Sequence, residues 1–142
     1  MLVFQLLFLL LLLWAAARAL RLRSAEFGTA VAASAAAAVA TPLAQTWDFA
    51  RPEVGIFLVD LGLFLVLAGL AVRTTAFWPI WASGFQLGTL AIHLAAAKYP
   101  HLVPAAYAEA LVIWSFPVLL TIAAGLHWEA RKLPASGLFR RA

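Results

Sequence analysis

Cysteine is absent from the 142 residues, and methionine occurs once. Disulfides, iron–sulfur clusters and thiol nucleophiles are therefore excluded. Charge is scarce as well: Asp, Glu, Lys and Arg make up 11% of the chain, where soluble domains carry ~25%. Apolar residues reach 65%, against roughly 45–50% in soluble domains. Also missing are the spacings that carry common chemistry. No HExxH, HxxxH or ExxH occurs to seat a metal, no GxSG to expose a nucleophile, and no glycine-rich loop to cradle a phosphate. Nothing in the residues argues for an enzyme. No internal repeat suggests an inverted-repeat transporter.

What is present is long apolar sequence. Five stretches, at about 2–17, 27–46, 54–72, 76–97 and 104–125, each approach the ~20 residues needed to cross a bilayer. They predict an all-α, polytopic membrane protein: one integral domain of five transmembrane helices, with a basic tail over 126–142. Within these residues little is left for a soluble domain. The first stretch holds a leucine run, Leu6–Leu13, broken only by Phe8. Its arginines follow the apolar run rather than precede it, the charge order of a retained reverse signal anchor and not of a cleaved signal peptide. The second stretch is the weakest, because alanine dominates its centre from Val31 to Val39 and alanine is nearly neutral for insertion.

Charge placement decides that weak segment. With five crossings, Arg18, Arg21, Arg23, Arg73, Arg131, Lys132, Arg140 and Arg141 share one side, opposite Arg51 and Lys98. Without it the same cations divide evenly. The positive-inside rule then expects an external N-terminus and a cytoplasmic C-terminus. The basic pI, about 10.4, follows from this asymmetry and gives no reason to expect nucleic acid. Arginine outnumbers lysine, and Ala and Leu are abundant, a bias that suggests a GC-rich bacterium and hence its inner membrane. Trp14, Trp78, Trp81 and Trp128 fall near the cytoplasmic boundary, and Trp47, Tyr99 and Tyr107 near the outer one. Trp114 alone lies at mid-membrane.

In lipid, helices associate through close packing and buried polar contacts. The fourth stretch offers both. Gly84 and Gly88 form a GxxxG continued by Ala91 and Ala95, while Gln86, Thr89 and His93 cluster on the opposite side. This helix is expected to touch protein on two faces, and the alanine-rich second helix to be surrounded by protein. Pro117 interrupts the fifth helix and frees the carbonyl of Ile113, with Ser115 at hand to compensate.

Asp60, His93 and Glu109 are the ionisable groups inside apolar runs, each about 4–7 residues from its outer boundary, or roughly 6–10 Å deep. Together with Gln86 and Thr89 they form the candidate polar cluster. Three roles fit it: a structural network closing the bundle, a site for a ligand or for proton relay, or a contact with another subunit. No metal site follows from the spacing. No cofactor is required, although His93 has the chemistry of an axial ligand to a haem or chlorophyll-type pigment. In the tail, Arg131, Lys132, Arg140 and Arg141, interleaved with Trp128 and Phe139, suit anionic headgroups or a docking partner. The expected function is a non-catalytic accessory subunit of a larger membrane complex, respiratory or photosynthetic, with lipid and other membrane subunits as partners. A small transporter or channel using Asp60, His93 and Glu109 is the alternative, and a haem or pigment binder the third.

Overall fold

The computed structural model describes residues 2–45, 53–99 and 104–132. They form five α-helices: α1 (Leu2–Leu22), α2 (Ala25–Ala44), α3 (Val54–Ala71), α4 (Trp78–Lys98) and α5 (Pro104–Lys132). All five are long and apolar enough to cross a membrane, including the alanine-rich α2. The chain is thus an all-helical bundle with the character of a multi-pass membrane protein. Large apolar side chains such as Leu13, Leu65 and Leu94 stay exposed around it, a surface compatible with acyl chains.

Two boundaries differ from the sequence expectation. α1 continues past Ala17 to Leu22, because arginines at a helix end extend their heads beyond the apolar layer without breaking the helix. It turns at Arg23, which takes a left-handed φ of 51°, and α2 begins after Ser24. α5 runs for 29 residues, through Pro117 and past Gly125. Residues 126–132 are therefore helix, not tail, and Leu126 is fully buried. The remaining tail, with Arg140 and Arg141, lies outside the described residues.

Chain neighbours pack side by side, α5 closes the ring against α1, and α2 touches α5 across it. The hydroxyl of Thr74, after α3, lies 3.4 Å from the carboxylate of Glu26 in α2's first turn. Arg18, Arg21, Arg23, Arg73, Arg131 and Lys132 all fall at helix ends that meet there, whereas Lys98 lies at the opposite end. Near the arginine end the core is tight. Phe27 stacks on Trp78 with ring centroids 4.6 Å apart. Gly125 of α5 makes room for that indole, since a Cβ there would collide with the Trp78 side chain.

Two packing expectations are corrected. α2 is not surrounded by protein: Phe27, Ala30, Val31 and Ser34 are buried, but Val39 and Leu43 are 64% and 82% exposed. Small side chains permit close approach on every side, yet a helix in a ring has neighbours on only some of them. The small-residue row of α4 also divides. Gly88 lies against the Trp114 indole, leaving no space for a Cβ, while a Cβ at Gly84 would meet nothing. Ala91 and Ala95 are exposed.

Candidate intramembrane polar site

Gln86, Thr89 and His93 recur at helical spacing on one face of α4, and all three are buried. That face meets α3 at Asp60. The Gln86 side-chain amide donates to Asp60 Oδ1 at 3.0 Å and to the Asp60 main-chain carbonyl at 3.2 Å. His93 Nε2 sits 2.8 Å from Asp60 Oδ2. On the other side of the ring, His93 Nδ1 lies 2.7 Å from the hydroxyl of Tyr107 on α5. A neutral imidazole accepting the Tyr107 proton at Nδ1 and donating from Nε2 to the carboxylate satisfies every contact. The result is an unbroken chain of hydrogen bonds across three helices, Tyr107–His93–Asp60–Gln86.

Apolar and aromatic groups shield it. Phe57, one turn before Asp60, presents its edge to His93 with centroids 5.7 Å apart. Tyr107 does the same from α5 at 5.7 Å. Glu53, preceding α3, is buried beside the Tyr107 hydroxyl.

Thr89 is on the right face but outside the chain of contacts. Ser34, Thr41 and Thr121 each turn their hydroxyl back to the carbonyl four residues earlier, at 2.9, 2.9 and 2.7 Å. The carbonyl Thr89 would use is that of Phe85, and it already accepts the Trp114 indole N–H at 2.8 Å. The buried Thr89 hydroxyl consequently has no partner among the described residues. The same indole fills the space above Gly88, so a single tryptophan accounts for the mid-membrane aromatic, the GxxxG glycine and the orphaned hydroxyl.

Glu109 does not join the cluster. Two residues past Tyr107, it points about 200° around the helix from it, and it is exposed with no hydrogen bond or ion pair to another described residue. It shares the face of Phe116, whose ring packs edge-on against Phe4 and Phe8 of α1. Glu109 lies two turns before that contact, toward the beginning of α1. Sequence depth alone placed it with Asp60 and His93; helix azimuth separates them.

Tyr107 and Glu53 are the members that sequence reasoning missed. Tyr107 has the profile of an interfacial aromatic, yet it is only 6% exposed. Its depth, matching that of His93 on an adjacent antiparallel helix, was the available signal. Of the basic residues proposed to meet lipid or a partner, Arg131 and Lys132 end α5 and are exposed, Lys132 donating to Glu129 at 2.8 Å. Among the described residues no group of three or more His, Asp or Glu gathers to hold a metal. Both ring nitrogens of His93 are engaged, so axial ligation would require displacing Asp60 or Tyr107. No family model matches the chain, and no similar curated protein or solved structure is found.

Proposed function

We propose that the chain is a non-catalytic accessory subunit of a larger bacterial inner-membrane complex, respiratory or photosynthetic in type, with its N-terminus outside and its C-terminus in the cytoplasm. The observation that carries this reading is Glu109: an exposed carboxylate within a membrane-spanning helix, without a described partner in its own chain. A charged group at mid-bilayer costs about 2.5–3.5 kcal/mol on insertion scales and less near the boundary. A basic or hydrogen-bonding group from an adjoining subunit would offset that cost. The uncovered row Gly84, Ala91 and Ala95 on α4 is a second surface on which a helix could approach closely. By contrast, Asp60, Gln86, His93 and Tyr107 satisfy one another, as a structural lock requires. Solubilisation in a mild detergent, with wild type beside Glu109→Leu, tests the proposal. Wild type should migrate with other membrane subunits, and Glu109→Leu should lose part of them; a monodisperse, unaccompanied 15.3 kDa species would overturn it.

The second reading is a small transporter or channel, favoured by the continuous hydrogen bonding from Tyr107 to Gln86. Such a chain can pass a proton if donors and acceptors exchange roles. Asp60→Asn in proteoliposomes would then abolish proton flux with assembly intact. Unchanged flux would remove this reading. Haem or pigment binding through His93 would appear in the absorption spectrum of the purified protein and vanish in His93→Ala.

A further inference from the structure

At the arginine-rich end the helix termini enclose a cavity of about 480 Å³, within the range that holds small molecules. It exists because α5 overhangs: its last turn descends beside the turn joining α1 to α2 and the link from α3 to α4. Glu26, Glu129 and Lys132 supply charge to its wall, Lys132 bridging Glu129 at 2.8 Å, and Ser24, Thr74 and Thr75 supply hydroxyls, that of Thr74 lying 3.4 Å from the Glu26 carboxylate. The stacked Phe27 and Trp78 also line it, and the buried indole N–H of Trp78 has no acceptor among the described residues. Arg21, Arg23, Arg73 and Arg131 are exposed on the surrounding helix ends, as are the apolar Leu20 and Val72.

We propose that this cavity binds a phosphoethanolamine group, with its ammonium between Glu26 and Glu129 and its phosphate toward Lys132 and the threonine hydroxyls. A wall carrying both signs of charge suits a zwitterion better than a simple cation or anion. Two carboxylates match a primary ammonium, which has three N–H donors to give. A trimethylated ammonium has none and is bulkier. Lysine and hydroxyl groups are ordinary phosphate partners. The location at the ends of membrane-spanning helices puts the cavity at headgroup depth, and exposed Leu20 and Val72 offer an apolar path for acyl chains. This site is separate from the polar network and from Glu109, so it stands whether or not the chain is an accessory subunit.

Native mass spectrometry of the full chain, released from micelles doped equally with phosphatidylethanolamine, phosphatidylcholine and phosphatidylglycerol, tests the proposal. The ethanolamine lipid should be retained at least about fivefold over both others, corresponding to ~1 kcal/mol. Glu26→Gln and Glu129→Gln should erase that preference, and Lys98→Gln at the opposite end should preserve it. Glu26 is exposed and Glu129 partly so, so both variants should fold and either one decides the matter. Millimolar O-phosphoethanolamine separates the two sources of the group. Displacement of bound lipid by it identifies the headgroup as what is recognised, and binding of the soluble compound without lipid retention identifies a free ligand. Equal retention of all three lipids with no binding of O-phosphoethanolamine, or an undiminished preference in Glu129→Gln, would overturn the assignment.

Discussion

Thr89 and Gly88 show how one indole reorganises its surroundings. Because the Trp114 N–H occupies the Phe85 carbonyl, the Thr89 hydroxyl is buried without compensation. An unsatisfied buried polar group costs about 1–3 kcal/mol. Thr89→Val, which keeps the shape and removes the hydroxyl, should therefore raise stability by roughly 1 kcal/mol, measured as resistance to SDS-induced unfolding in mixed micelles. Gly88→Ala should do the opposite. Its methyl would land on the Trp114 ring, and overpacking of this kind costs about 1–3 kcal/mol. Gly84→Ala, facing open space, should be close to neutral; equal losses at the two glycines would contradict the geometry. Within the polar network, Tyr107→Phe should destabilise by about 0.6 kcal/mol and by no more than about 1.7, the average and the maximum for interhelical hydrogen bonds in membranes. Asp60→Ala should exceed it, since the carboxylate serves both Gln86 and His93.

Helix α5 carries the most consequence among the elements. Its first turns bring Tyr107 to His93, its middle brings Trp114 to α4, and its end brings Gly125 and Leu126 into the core. Pro117 does not stop it. Ser115 donates to the Val112 carbonyl at 2.7 Å and Thr121 to that of Pro117 at 2.7 Å, so side chains bond to the backbone on both sides of the proline. The buried last turns predict a contrast along one helix. Leu126→Ala should cost about 2 kcal/mol by emptying a packed site, while Leu120→Ala, 53% exposed, should change little. Comparable effects on the same unfolding assay would show that residues 126–132 behave as tail after all.

At the scale of the molecule, a ring of five helices in chain order separates two ends of different chemistry. One gathers the arginines and the cavity, and the polar network lies toward the other. Cysteine-free sequence makes the proposed orientation easy to test. Single cysteines at Thr75 and Lys132 should react with an impermeant maleimide only from the cytoplasmic face of oriented vesicles, and one at Tyr99 only from the outside. A reversed pattern would turn the whole arrangement over, and labelling of Thr75 and Tyr99 from one side would remove a crossing.

Composition and apolar run length determined that this is a helical chain with the character of a multi-pass membrane protein, and marked out the five helices long and apolar enough to cross. These are properties each segment meets against lipid by itself, so they can be read one segment at a time. Depth was readable too, because the rise along a helix is constant, and so was the shared face of Gln86, Thr89 and His93. Which groups at one depth actually meet was decided only by the tertiary structure. Tyr107 rather than Glu109 completes the network, and Trp114 claims Gly88, because the azimuth of one helix against another depends on packing all its neighbours together. The cavity beneath α5 likewise comes from the relative lengths of elements distant in sequence, which no single segment encodes.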